Sequence, residues 1–203
     1  MPATARRCLL IGGRSNTGKS TVANVLAQRL AGVHISTDTL GRHPGRPWGT
    51  VPTQVVEHYR AKSDDDIFAA VVAHQRDLQP AIAALVREHE TNSDKPILVL
   101  EGSALMPEET LGLISKTVAA VWLTGSDAFL RKRIESESHY GSLDIAGRYL
   151  VDQFIERNRR LDQMNRDDAQ RLGLPTVIVD GLSIDEVAAA CLRAVADPPL
   201  PLR

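Results

Sequence analysis

Five short, mostly apolar runs punctuate the chain, at 8 to 12, 33 to 37, 97 to 101, 118 to 124 and 176 to 180. Their length and their Gly, Pro and polar flanks predict buried β-strands. Between them the apolar positions move to helical spacing. Val22, Val25, Leu26 and Leu30 share one helix face, and Gly32 is expected to close that helix in a left-handed turn. Asp64 is expected to cap a helix running to about residue 77 and Pro80 to open the next; the pair carries Ile67, Phe68, Val71, Val72, Ile82, Leu85 and Val86. Ser126 predicts the cap of a helix holding Leu130 and Ile134. A longer helix is expected from 143 to 172, with Leu150, Phe154, Leu161 and Met164 facing the core and Gly173 ending it. Ser183 and Glu186 form a capping box for the last helix, and Pro198, Pro199 and Pro201 mark a non-helical tail. Short buried strands alternating with helices predict an α/β protein with a five-stranded parallel sheet between two helical layers. Ligands of such a fold belong at the carboxyl ends of the strands.

Composition narrows this only a little. The 203 residues fit one domain, and with 43% apolar residues, 24% charged residues and a formal net charge of −1 nothing points to a disordered, collagenous or generally nucleic-acid-binding chain. Any electrostatic specificity is therefore local. Cys8 and Cys191 have neither disulfide-framework nor zinc spacing, which predicts two buried thiols in a reducing cytosol. No apolar run approaches the length of a bilayer span, and Met1 to Arg7 lacks the apolar stretch of a signal peptide, so a cytoplasmic protein with no membrane partner is expected. There is no internal repeat.

The chemistry begins at the end of the first strand. Gly13-Arg14-Ser15-Asn16-Thr17-Gly18-Lys19-Ser20, followed by Thr21-Val22-Ala23, fits the phosphate-binding P-loop (Walker A) in pattern and in its strand-before, helix-after context. Backbone N–H groups of such a turn wrap phosphate oxygens, and the following helix points its positive end at the anion. Lys19 can reach the β- and γ-phosphates and the Ser20 hydroxyl can take one corner of a Mg²⁺ shell, while Gly18 leaves room for phosphate against bare backbone. A nucleoside triphosphate, with ATP and Mg²⁺ as the expected pair, is the first ligand to consider. Gly13, Ser15, Asn16, Thr17, Gly18, Lys19, Ser20 and Thr21 are its candidate contacts.

Other strand ends share that edge. The second strand runs into Asp38 and the third into Glu101-Gly102. Asp38 is expected to accept a proton from an attacking hydroxyl or to help hold the metal, with an N-cap role as the alternative. Glu101 stands where other P-loop proteins carry a Walker B acid; it orients water or substrate, or serves a structural ion pair. Arg42, Arg46 and Trp48 lie in a loop rich in Gly and Pro that can close over an anionic acceptor, against the alternative of a solvated loop with Trp48 packed on the core. A second basic cluster holds Arg131, Lys132, Arg133, Arg148, Arg157, Arg159 and Arg160. Most of these are expected to alternate with Asp152, Glu156 and Asp162 as surface pairs, leaving Arg133 and Arg148 as candidates to stabilise a transferring phosphoryl group.

These residues resemble the P-loop small-molecule kinases, the group that includes shikimate, gluconate and nucleoside monophosphate kinases, over nearly the whole chain. The fullest likeness is to 2-phosphoglycerate kinase-like proteins, through Leu10-Ile11-Gly12-Gly13 into Gly18-Lys19-Ser20-Thr21-Val22-Ala23, then Ile35-Ser36-Thr37-Asp38, then Leu100-Glu101-Gly102 with Pro107 beyond. The resemblance implies a single kinase domain over 1–203, with an acceptor-binding insert at 41–95 and a lid at 126–160. It implies acceptor binding or base catalysis by Asp38, adenine stacking by Arg133, and a base-bordering loop at Asp180-Gly181-Leu182. Shikimate kinases resemble the chain less: Ser36 stands where they carry a second Asp, and Glu137 where they carry a second lid Arg. The expected activity is ATP-dependent phosphoryl transfer to a hydroxyl of a small, anionic metabolite by a monomer or homodimer. The alternatives are an antibiotic or nucleotide-sugar kinase of the chloramphenicol phosphotransferase or zeta-toxin type, and a regulatory P-loop ATPase without a small acceptor. A GTPase switch is disfavoured because no Asn-Lys-x-Asp element occurs; Asn92-Ser93-Asp94-Lys95 has the wrong order.

Overall fold

The computed structural model of the chain describes residues 6–41, 45–49, 51 and 53–196, the side chains of Gln54 and His58 apart. Arg42 and the proline-bearing tail lie outside the described residues. Five parallel strands, β1 (Cys8–Gly13), β2 (Val33–Ser36), β3 (Leu98–Glu101), β4 (Val118–Thr124) and β5 (Thr176–Ile178), form one sheet in the order β2-β3-β1-β4-β5. β1 is central, with Leu10 in register with Leu100 on one side and Ala120 on the other. The inner strands β1, β3 and β4 read as nearly continuous apolar runs because helices cover both faces. Leu9 and Ile11 face α1 (Lys19–Arg29) and α8 (Ile184–Ala196), meeting Val22, Leu26, Val187 and Cys191. Cys8 and Leu10 face the other way, towards Ile82 and Val86 of α4 (Gln79–Thr91). This is the expected α/β/α architecture. Among the described residues no helix is long and apolar enough to cross a membrane.

A third cluster stands off the sheet. It joins Val55 and Tyr59 of α2 (Thr53–Ala61), Ile67 of α3 (Asp64–Asp77), Ile134 of α6 (Asp127–Glu137), and Leu150, Val151 and Phe154 of α7 (Ile145–Arg171). The remaining helix, α5 (Pro107–Leu111), follows β3. Neither α2 nor α5 was foreseen, the first because Gly and Pro punctuation hides its start and the second because it is little more than one turn.

Helix ends follow local chemistry, with two corrections. Ser63, not Asp64, caps α3: its hydroxyl accepts from the Asp66 N–H at 3.2 Å, and Asp64 is already helical. At the end of α1 the left-handed residue is Ala31 (φ 49°), and the Gly32 N–H reaches back to the Ala27 carbonyl at 2.8 Å. Gly32 is needed there for a different reason, since a Cβ would lie 2.5 Å from the Ile97 carbonyl oxygen. The Ser126 cap, the Ser183/Glu186 capping box and the left-handed Gly173 after α7 all occur as expected.

Both cysteines are free and fully buried. Burial pushes the Cys8 thiol up to about 11 and the Cys191 thiol up to about 12, so neither forms thiolate near neutrality. A thiol reagent such as DTNB is expected to titrate neither residue at pH 7.5 until denaturant unfolds the chain. Prompt reaction of the folded protein would contradict that burial.

Candidate active site

The turn after β1 is held by its own side chains. Lys19 Nζ donates to the Arg14 carbonyl at 2.8 Å, and Thr17 Oγ1 donates to the same oxygen at 2.9 Å. Gly18, which caps α1, has φ 87° and Asn16 has φ 66°. These successive turns of backbone leave the first N–H groups of α1 without partners of their own helix and set a positive helix end at the mouth. Burial pushes the Lys19 ammonium below its ordinary value. Glu101 and Asp38 pull the other way, and Arg46 adds to the lowering. The lysine is thus a cation held in a desolvated position with acids on one side of it.

Those acids come from β2 and β3. Glu101, nearly fully buried at the last position of β3, accepts from the Ser20 hydroxyl at 3.1 Å and lies 3.6 Å from His34 Nε2. Asp38 sits in a single 3-10 turn, Thr37–Thr39, just past β2. Its backbone N–H is accepted by Ser36 Oγ at 3.3 Å, while its carboxylate is exposed and makes no hydrogen bond among the described residues. The capping at this turn belongs to Ser36, so the Asp38 carboxylate makes no hydrogen bond among the described residues and acts electrostatically on Lys19.

Ser15, Asn16, Gly18, Lys19, Ser20, Thr21, Asp38, Arg46, Glu101 and Arg133 line one cleft with a cavity volume of about 320 Å³. Glu137 joins them. Its carboxylate accepts from Asn16 Nδ2 at 2.5 Å and pairs with Arg46, bridging the turn, the end of α6 and the loop before α2. Arg133 Cζ lies 5.6 Å from the centre of the Phe129 ring, at the edge of the cleft.

Five expected contacts do not line the cleft: Gly13 and Thr17, both buried at the turn itself, and three placed elsewhere. Arg148 is exposed on the first turns of α7, where it donates to the Gly141 carbonyl at 3.0 Å and lies over the Tyr140 ring. Trp48 packs edge-on against Phe154, with ring centroids 4.7 Å apart, so it stands behind the wall of the cleft rather than in it. Gly181 (φ 72°) lies in the turn after β5, outside the cleft lining; the neighbouring Asp180 accepts from the Ser126 N–H at 2.9 Å.

One assignment is reversed outright. Asp162 is not a surface partner but 1% exposed, accepting from Thr124 Oγ1 at 3.1 Å and facing Arg14 and Arg166 at 3.9 and 3.3 Å. Burial raises its pKa against the pull of both arginines. Arg14, 2% exposed, also pairs with Asp127 at 3.2 Å and so ties the turn to the starts of α6 and the middle of α7. The signal was in the sequence: Arg157, Asn158, Asp162 and Asn165 recur on the same face of α7 as Phe154 and Leu161. Polar residues at core spacing mark a helix face that meets something polar.

No protein-family model matches the chain. A gluconokinase from Sinorhizobium meliloti 1021 superposes with a TM-score of 0.55 at 20% identity, covering 94% of this chain and 93% of that one. A shikimate kinase from Aquifex aeolicus vf5 gives 0.55 at 18% identity, covering 93% and 96%. The chain has the fold of the P-loop kinases. At such identities it is the architecture that is shared. A curated tRNA dimethylallyltransferase from Streptomyces griseus is 31% identical over 142 residues, 67% of this chain. The chain spans 42% of that relative's length.

Proposed function

We propose that the protein transfers the γ-phosphoryl group of ATP to a hydroxyl of a small, anionic acceptor. The observation that carries this reading is the Asp38 carboxylate, exposed and without a hydrogen bond among the described residues, in the same cleft as Lys19 and Ser20. A phosphate cradle alone suits any nucleotide-binding protein; a carboxylate beside it that is not spent on a hydrogen bond to the described residues suits an attacking alcohol. In the reaction the acceptor oxygen bonds to the γ-phosphorus as its proton passes to Asp38, and the bond from phosphorus to the β–γ bridging oxygen breaks to release ADP. Lys19 neutralises charge on the transferring group, and Arg46 and Arg133 are placed at the cleft to do the same.

The residues fit a magnesium ion. Ser20 Oγ, already oriented by Glu101, would take one coordination position, with Asp38 reaching through water. Among the described residues no three acidic, His or Cys side chains are placed to hold a metal ion together. When bound, magnesium would offset the negative charge of the transferring phosphates.

The finer likeness to 2-phosphoglycerate kinase-like proteins, action in a reducing cytoplasm and a monomeric or homodimeric state belong to this proposal. The similarity to a tRNA dimethylallyltransferase brings no acceptor with it, since less than half of that protein is spanned. The test compares ADP formation from Mg-ATP alone with ADP formation across a panel of hydroxylated metabolites, with the phosphorylated product identified by mass spectrometry. Turnover well above the acceptor-free rate with at least one metabolite is expected. Fast acceptor-free hydrolysis with no product in any sample would replace this reading with a regulatory ATPase.

A further inference from the structure

Ser20 rests on Glu101, and Glu101 in turn has a neighbour on β2. The strands β2 and β3 run side by side, with Ser36 in register with Glu101 and His34 with Val99. Register partners, and residues two apart on a strand, share a face, so His34 belongs to the face that carries Val99 and Glu101, the one covered by α1. There His34 Nε2 lies 3.6 Å from Glu101 Oε1, the same oxygen that accepts from Ser20 Oγ at 3.1 Å. Imidazole, carboxylate and hydroxyl form one chain of contacts from β2 to the first turn of α1.

The contact between the first two is not closed. The Glu101 side chain is 3% exposed and the His34 side chain 24%, yet Nε2 itself is buried and makes no hydrogen bond among the described residues. Folded proteins pair nearly all buried polar atoms, so an orphan ring nitrogen facing a buried carboxylate calls for a reason. A hydrogen bond from nitrogen to oxygen spans about 2.7 to 3.2 Å, and this pair stands open by a few tenths of an ångström. A neutral ring with its proton on Nε2 needs an acceptor, and the Glu101 carboxylate is beside it. Ser20 needs Glu101 for the converse reason. A hydroxyl whose oxygen serves a cation gives its proton to an acceptor, and that acceptor has to stay in place. A glutamate side chain has several torsions to fix, and one hydroxyl contact does not fix them all.

We propose that His34 is a positioning residue: its Nε2–H closes onto Glu101 when nucleotide and magnesium fill the cleft, and so fixes the carboxylate that presents the Ser20 oxygen to the metal. The inference rests on the nucleotide and magnesium part of the phosphotransfer reading and adds a residue to it. His34 does not line the cleft, so its effect passes through Glu101. Donation from the neutral ring suffices, and no change of charge on the histidine is involved. Outer partners of this kind typically carry about 10- to 100-fold of a site's metal affinity. The ring geometry also says which replacement can stand in. The terminal amide nitrogen of a glutamine reaches roughly as far as Nε2, whereas that of an asparagine reaches only as far as Nδ1.

Calorimetric titration of the full chain with ATP, once in EDTA and once with excess Mg²⁺, measures the gain in affinity that the metal confers. Wild type is expected to show such a gain. His34→Leu and His34→Asn should lose about tenfold or more of it, His34→Gln should keep it to within about threefold, and the affinity in EDTA should stay within about twofold in all three. Adding His34→Leu to Glu101→Gln should cost nothing further, since the histidine acts through the carboxylate. Should His34→Leu fail to fold, the Gln and Asn variants decide, and the double variant is built with Asn. An unchanged gain in His34→Leu and His34→Asn, an equal loss in His34→Gln, an affinity in EDTA that falls as far as that with Mg²⁺, or losses that multiply in the double variant overturns the inference. Each of these leaves the phosphotransfer reading in place. The expected pattern with no phosphorylated product from any acceptor does the reverse, and a wild type that gains nothing from Mg²⁺ overturns both.

Discussion

Asp38→Asn is expected to lower phosphoryl transfer by about 10²- to 10⁴-fold, the usual contribution of a positioned general base, while the gain in melting temperature given by ATP stays. The change is nearly isosteric, and the turn that presents the side chain does not use it. The Asp38 N–H is held by Ser36 Oγ at 3.3 Å and Thr39 Oγ1 donates to the Ser36 carbonyl at 2.7 Å, so the backbone keeps its shape when the carboxylate becomes an amide. The amide cannot take up the acceptor's proton. Removing one of the acids near Lys19 also removes a charge that an incoming triphosphate would face, so nucleotide affinity should hold or rise. Transfer at the wild-type rate would exclude Asp38 as the base and move attention to Glu101.

The second large effect is structural. Gly13→Ala is expected to cost roughly 4 kcal/mol or more, in the range reserved for severe steric lesions, and to lower the melting temperature by about 10 °C or more for a chain of this size. Gly13 has φ 129°, and a Cβ there would stand 2.2 Å from the carbonyl oxygen of Leu123, its register partner on β4. That neighbour is backbone in the middle of the sheet and cannot turn aside. Gly181→Ala is the natural comparison: the residue is also at positive φ (72°) but with no atom within 4 Å of the added carbon, so only the conformational term of about 1 kcal/mol applies. Equal melting temperatures for the two variants would refute the packing argument.

Much of this architecture is legible in the chain because its causes are local. The strands β1, β3 and β4 are buried on both faces and so read as nearly unbroken apolar runs, and Ser126 and Ser183 cap helices with hydrogen bonds spanning three residues. The phosphate turn is likewise one continuous segment, and Asp38 and Glu101 declare themselves by ending strands. The rest depends on distant partners. Arg157 reads as one more surface arginine until α7 is laid against Tyr59, 98 residues away in the chain. Arg14 occupies a variable position of the turn, and its pairing with Asp127 spans 113 residues. Arg148 misled for the converse reason: it lies close in sequence to the lid arginines, but α7 begins with exposed Ile145 and Tyr149 and carries it away from the cleft. Ala31 took the left-handed turn because Gly32, the better candidate by propensity, was required one residue later by the carbonyl of Ile97.

Among the described residues Glu137, bridging Asn16 and Arg46, gives the cleft an even charge ledger: Lys19, Arg46 and Arg133 face Asp38, Glu101 and Glu137. Equal and interleaved charges cancel at a distance, so the field reaching beyond a Debye length, about 8 Å at physiological ionic strength, is weak. Such a surface does not gather polyanions indiscriminately from solution, as a purely basic cradle would. An anion entering beside Asn16 and Arg46 would have to displace the Glu137 carboxylate, which would move discrimination from the approach to the final fit.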